Sequence, residues 1–419
     1  MRFTLYKHKL VFDKQYVAKN FIVLKEDNTI LKWTDFHEYI RPGKRKTAVP
    51  LKDDNDRRFY AVIPFLNYVY FGPPDIDSLY EVNVRMVQRY MNAFGLGQLE
   101  DDDEFTSRSE EFVAQNLTYL IDFLDEFIEK NPGAKLKKKD LYKTEEVYSK
   151  RARKYIKKKV PTFKVVYNSK PNPVFRDLPE EAFKIIMNEI IDNHRDILML
   201  AALEAFAGLR PGEACNVRRE DSVLGPGIIF SYRNGEVVDV SIDLTTKYVL
   251  RSDLADVGSL KKRRTQRVYP QFLEAFTECY NIYMEYIENR SYETAYGPLT
   301  VNRQGKAYTY DSYRNEFQKA VDDAKLKMRQ SDDPKIVHYS MLLDERTLGP
   351  HVFRHWFSVK LTLYGETAAG LQFWRGDSNP TSALTYLADK SDLEKQHNTV
   401  VDKAFGYMLW RAEKENGKS

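Results

Sequence analysis

Residues 349–387 read GPHVFRHWFSVKLTLYGETAAGLQFWRGDSNPTSALTYL, and the rest of the chain is best understood outward from this stretch. His351 and Arg354 stand three apart behind Gly349-Pro350. A helix begun by Pro350 places both side chains on the face of its first turn. Backbone N–H groups at that helix start can face a phosphate, and the Arg354 guanidinium can grip two of its oxygens side by side. Further on, Ala383-Leu384-Thr385-Tyr386-Leu387 sets a tyrosine in an apolar helical pattern behind the polar turn Gly376-Asp377-Ser378-Asn379-Pro380. The tyrosine therefore follows a hinge.

This order of H-x-x-R, turn and tyrosine resembles the second conserved box of the tyrosine recombinases, the phage-integrase family. Earlier in the chain, Ala207-Gly208-Leu209-Arg210-Pro211-Gly212-Glu213-Ala214 is close to the family's first box, T-G-L-R-x-x-E-L. Between the boxes, Ser259-Leu260-Lys261-Lys262-Arg263-Arg264-Thr265-Gln266-Arg267-Val268-Tyr269-Pro270 resembles the hairpin that carries the family's lysine. The match is carried by three boxes in the family's order; an H-x-x-R alone more often marks a solvated or salt-bridged helix face. The resemblance implies a mainly α chain with a small antiparallel β-sheet (α+β): a helical core-binding domain, a catalytic domain and a short β-containing N-terminal extension.

It also implies a chemistry. Tyr386 would attack phosphorus and form a 3′-phosphotyrosine, which a DNA 5′-hydroxyl later reverses. With a phenol pKa near 10, only about 0.1% is phenolate at neutral pH, so a positive pocket must help. Arg210 and Arg354 would supply it by gripping the non-bridging oxygens. Lys262, or its neighbour Lys261, would protonate the leaving 5′ oxygen; the family's G-K-x-x-x-x-R-x-x-P spacing fits Lys262. His351 would give acid/base support. Glu213 orients a neighbour in the site or forms an ordinary i, i+3 salt bridge with Arg210; both readings stay open. The family's usual histidine or tryptophan donor is replaced by Asp377, since the residue nine before the tyrosine is an aspartate. An ionised carboxylate cannot donate, so Asp377 is expected to be protonated or turned away, or replaced by Trp374 or Arg375. No cofactor and no metal is expected.

Composition bounds the alternatives. A chain of 419 residues holds two or three domains, each with its own core. No apolar run reaches a membrane span and the N-terminus lacks a signal-peptide core, which places the protein in the cytoplasm. Cys215 and Cys279 lack C-x-x-C spacing or nearby histidines, so they read as buried small hydrophobes. The net charge of +4 says little by itself; its distribution says more.

Along the chain, residues 1–53 form an N-terminal extension with strand patterns and a turn at Asp27-Asn28, ending in the basic loop Arg41–Lys46. It reads either as an arm-type DNA-binding region or as a structural extension. Residues 54–133 read as a helical DNA-clamp domain: one helix interrupted by Pro64, a second ending at Gly95, and a third opened by the capping box Ser107–Glu110. Residues 134–175 are a basic linker, with Lys137-Lys138-Lys139 and Lys157-Lys158-Lys159 set among tyrosines, suited to strapping across phosphates without sequence specificity. The catalytic domain, 176–419, starts near Leu178-Pro179-Glu180-Glu181 and contains a hairpin turned at Asn234-Gly235. It ends in a tail helical pattern, His397–Trp410. The resemblance implies double-stranded DNA as partner, self-association into a synaptic dimer or tetramer on DNA, accessory DNA-bending proteins, and integration or excision of a phage or mobile element. The rival reading is a recombinase-fold, sequence-specific DNA-binding regulator whose catalysis is impaired or lost.

Overall fold

The computed structural model describes residues 1–12, 14–40, 54, 56–100, 102, 108–149, 154–168, 178–288, 290, 295–345 and 347–377. The expectations for Tyr386, for the tail pattern His397–Trp410, for the loop Arg41–Lys46 and for Ser107 fall outside these residues. The chain divides into two compact units, Met1–Leu10 with Val17–Pro173, and Val11–Tyr16 with Val174–Ser419. Helices and small antiparallel sheets make up both, as the expected α+β class requires.

In the first unit, β1 (Arg2–Phe12), β2 (Gln15–Glu26) and β3 (Thr29–Trp33) form one three-stranded sheet. The turn before β3 sits at Asp27, which takes φ 50°. A short α1 (Phe36–Ile40) follows, then α2 (Asp56–Phe71), α3 (Val84–Leu96) and α4 (Glu110–Lys130). Phe3, Ile22, Tyr39 and Ile40 share one buried cluster with Phe65, Tyr90 and Leu124, so the expected boundary at 53/54 falls inside a single core. The sheet has an apolar inner face that a strand extension alone cannot cover, and the helices cover it.

Three local expectations shift. Helix α2 runs through Pro64 without a break; the ring deprives only the Tyr60 carbonyl of its donor, and Tyr60 is exposed. Helix α3 continues past Gly95 and ends at Gly97. The cap of α4 is Ser109, whose side chain accepts from the Phe112 N–H at 3.3 Å.

The basic stretch after α4 is not a featureless linker. After the short α5 (Lys138–Leu141), β4 (Tyr142–Ser149) and β5 (Lys154–Pro161) pair as an antiparallel ladder. Glu145 stands opposite Lys158, and Glu146 opposite Lys157. Lys159 reaches back to α4, meeting Asp125 at 2.7 Å and Asp122 at 3.3 Å. Part of the positive charge is thus answered within the unit.

The second unit is built around α7 (Leu198–Ala207), all ten residues of which are buried. A helix whose single polar residue, Glu204, is itself buried has no wet face and belongs at the centre of its layer. α6 (Glu180–Asn193) and α12 (His351–Leu363) pack against it, with Phe183 and Trp356 stacked at 3.9 Å. α8 (Pro211–Ala214) leads into a sheet of β6 (Ile228–Arg233), β7 (Glu236–Leu244) and β8 (Arg264–Arg267) in the order β6-β7-β8. The Asn234-Gly235 turn joins β6 to β7 as expected, with both residues at positive φ. α9 (Leu273–Glu288), α10 (Tyr310–Arg329), α11 (Pro334–Glu345) and α13 (Ala368–Arg375) complete the unit. No described helix is long and apolar enough to cross a membrane.

Candidate active site

Helix α7 ends at Gly208, which takes φ 63° and lies so close to the Phe357 ring that a Cβ there would approach it to 2.5 Å. Only glycine fits the reversal; after it Leu209 is still buried in the core, and Arg210 is the first side chain to emerge. The carbonyl of Gly208 also accepts a hydrogen bond from Arg354 Nη1. The two boxes, far apart in sequence, are therefore joined at this turn.

Arg354 lies on α12 and is buried, 1% exposed. Its Nη2 donates to the Arg375 carbonyl at 2.9 Å and to Asp377 Oδ1 at 2.8 Å. Arg210 Nη2 donates to the same Asp377 oxygen at 2.5 Å. Arg375 Nε stands 2.9 Å from Asp377 Oδ2. Three guanidiniums thus converge on one carboxylate. Burial, together with the like charges of Arg210 and Arg375, pushes the Arg354 pKa down to about 9, although Asp377 and Glu213 act in the other direction.

Glu213 is fully buried beneath this group. Its Oε1 accepts from Arg210 Nη1 at 3.1 Å and from Arg264 Nη1 at 3.1 Å, and its Oε2 accepts from Arg264 Nη2 at 3.0 Å. Glu213 thus forms the i, i+3 bridge with Arg210 and also holds a second arginine, Arg264. Burial works to raise its pKa, but the Arg264 hydrogen bonds and charge, with Arg210, hold it below the ordinary carboxylate value.

Lys262 is exposed on the connection between β7 and β8, and with Arg264, Gln266, Gly376 and Asp377 it lines a cavity of about 410 Å³. Lys261, also exposed, does not line it. His351 is exposed at the start of α12 and lies outside that lining as well. The expected amide cradle at this helix start is corrected: the Val352 and Phe353 N–H groups already donate to the Gly349 and Pro350 carbonyls, at 3.0 and 3.1 Å. Helix starts that close such turns have fewer free donors, so the anion position here is made by side chains.

Asp377 was expected to be protonated or turned away, or replaced by a neighbour. It is instead turned into the site, held by the arginines. The Trp374 ring packs edge-on to Tyr269 at 5.0 Å, and its carbonyl accepts from Gln266 Nε2 at 2.6 Å. Arg375 is there. Sequence reasoning missed Arg264 altogether, though one signal existed: in a strand, residues 264 and 266 share a face, and Gln266 is buried.

For metals, one group of described residues, Glu189, His194 and Asp323, has donor atoms within 4.8 Å of one another. Each is engaged by protein. His194 meets Asp323 at 2.9 Å and Glu316 at 3.3 Å, and Glu189 pairs with Lys327 at 2.8 Å.

No protein-family model and no curated protein matches the chain. Solved structures do resemble it. They include a Tn1549 transposon integrase in complex with transposon right-end DNA, 14% identical with a TM-score of 0.49 over 92% of this chain and 98% of that one. Another is the XerH site-specific recombinase bound to difH substrate, 14% identical, TM-score 0.45, covering 79% and 76%. A lambda integrase dimer bound to a COC′ core site is 12% identical, with a TM-score of 0.42, covering 80% and 73%. Likeness at this level assigns no role to a side chain; function rests on the residues themselves.

Proposed function

We propose that the chain is a tyrosine-type site-specific DNA recombinase that cuts and rejoins double-stranded DNA of a phage or mobile element without a metal. The observation that carries this reading is the convergence of Arg210, Arg354 and Arg375 on one carboxylate, beside a cavity that Lys262 lines. Breaking a phosphodiester requires positive charge aimed where negative charge develops, and fixed guanidiniums in a site shielded from water are worth more than the same groups in solvent.

In this reading the Tyr386 oxygen attacks phosphorus. The Tyr386 Oη–P bond forms as the P–O5′ bond breaks, and Lys262 delivers a proton to the departing oxygen. Arg210 and Arg354 hold the non-bridging oxygens, Glu213 holds Arg210 and Arg264 in place, and His351 assists proton movement around the tyrosine. The reverse reaction uses the 5′-hydroxyl of a second strand. Strand exchange requires two sites to be held together, so the working form is a dimer or tetramer on DNA, with DNA-bending proteins as candidate helpers.

The test uses nicked suicide duplexes drawn from the DNA flanking the coding sequence. The native chain is expected to form a covalent protein–DNA adduct, and Tyr386→Phe to bind the same duplex and form none. An undiminished adduct in the variant would remove Tyr386 from its role. Binding without any adduct by the native chain would leave the regulator reading in its place.

A further inference from the structure

We infer that Asp377 is the resident anion of the phosphate subsite and that Arg375 is the third phosphate donor of that subsite, taking the part left open by the missing histidine or tryptophan. The inference deepens the recombinase reading and rests on it for the identity of the incoming phosphate.

The carboxylate has the contacts of a bound anion rather than of a surface aspartate. Its side chain is only 11% exposed. One oxygen takes hydrogen bonds from Arg210 Nη2 at 2.5 Å and Arg354 Nη2 at 2.8 Å; the other faces Arg375 Nε at 2.9 Å. A phosphodiester presents two non-bridging oxygens that call for the same donors. Carboxylate and phosphate cannot both occupy that place, because their like charges repel at contact distance.

The backbone supports a carboxylate that arrives here and can leave. Helix α13 ends at Gly376, at φ 60°, where a Cβ would sit 2.1 Å from Arg264 Nε. The chain can therefore turn directly against Arg264 only with glycine at that position, and the turn delivers Asp377 to the arginines. Beyond its carboxylate, Asp377 is tied by the hydrogen bond from its N–H to the Gln372 carbonyl at 3.0 Å, a helix-end contact. Such caps are among the first contacts to open. Arg375, by contrast, is fixed: it is buried, 7% exposed, and its carbonyl accepts from Arg354. The arginines stay while the aspartate is exchangeable. DNA whose phosphate fits displaces Asp377, and in the empty enzyme Asp377 offsets part of the positive charge of the cluster.

The test measures binding of inorganic phosphate to the full chain by calorimetry at constant ionic strength. The native chain should bind weakly, because the competent state is populated only when Asp377 has moved. Asp377→Asn should bind roughly tenfold tighter or more, and adding Arg375→Gln should remove that gain, about tenfold to a hundredfold for a charged hydrogen bond. A folded Asp377→Asn that binds phosphate no better than the native chain would overturn the resident-anion role, and the aspartate would be a brace for the arginines. A gain that survives Arg375→Gln would overturn the role of Arg375. Should Asp377→Asn fail to fold, hydrogen exchange on the native chain decides: the Asp377 amide should exchange faster at saturating phosphate, and an unchanged rate overturns displacement. These outcomes are separable from the recombinase reading. Phosphate binding that behaves as stated without a covalent DNA adduct would remove the reading and keep the subsite; an adduct without the phosphate gain would do the reverse.

Discussion

Glu204 lies fully buried on α7, with the Tyr313 hydroxyl donating to one of its oxygens at 2.8 Å. Burial raises its pKa well above the ordinary 4.5, more than Tyr313 and the charge of Arg354 lower it. The folded protein therefore keeps a proton that the unfolded chain releases above about pH 4.5. This contribution to stability is complete below that pH and is lost as pH rises toward the folded-state value, by at most about 1.4 kcal/mol per pH unit. Glu204→Gln should cancel the loss, so the melting temperature of the variant minus that of the native chain should climb between pH 5 and pH 8. A difference that stays flat would mean Glu204 is ionised in the fold. Glu213 tests the opposite kind of carboxylate. Glu213→Gln removes the charge that holds Arg210 and Arg264, and suicide-duplex cleavage should fall by about 10²-fold with DNA affinity nearly unchanged, since the lost interaction serves the transition state. An equal loss in affinity would make Glu213 a binding brace only.

At the scale of elements, the β4–β5 ladder changes what the lysine-rich stretch can do. Read as an unpaired strap, four neutralised lysines would flatten the dependence of log K on log salt by about 3 to 4 units. In the ladder, Lys157 and Lys158 face glutamates and Lys159 is held by Asp122 and Asp125. Replacing Lys157 and Lys158 by glutamine should therefore flatten the slope by under about 1.8 units, the value for two unopposed phosphate contacts. Lys159→Ala should instead lower the melting temperature of the first unit, because Asp122 and Asp125 lose their shared cation. Salt titration of DNA binding and thermal unfolding separate the two effects.

At the scale of the whole molecule, two hydrophobic clusters stand in two compact units. Phe65, fully buried in the first, loses about 3–5 kcal/mol of packing on truncation to alanine. Phe65→Ala should shift the calorimetric transition of the first unit and leave phosphate binding by the Arg210 cluster in place. Loss of that phosphate binding in folded Phe65→Ala would show that the site depends on the first unit's core.

The Asn234-Gly235 turn and the buried run that becomes α7 were legible because each is a local pattern: a turn requirement, and a helical stretch whose single polar residue is Glu204. The end of α3 shifts from Gly95 to Gly97, since capping competes among close alternatives and only the folded chain chooses, and α2 runs on through Pro64 because packing holds the helix across the missing hydrogen bond. The strand pairing of the lysine-rich stretch was not legible, because alternation of lysine with glutamate and tyrosine reads equally as a solvated coil until a partner strand fixes its register. Arg264 and the inward turn of Asp377 were illegible for a different reason. Residues 210, 213, 264, 354, 375 and 377 meet through packing of α7, α12, α13 and β8, contacts between distant segments that no spacing records. The sequence alone determined which charged side chains the chain carries and where they stand along it; the tertiary structure decided that three arginines share one carboxylate, because guanidiniums brought this close in a mostly buried site repel one another unless an anion lies between them.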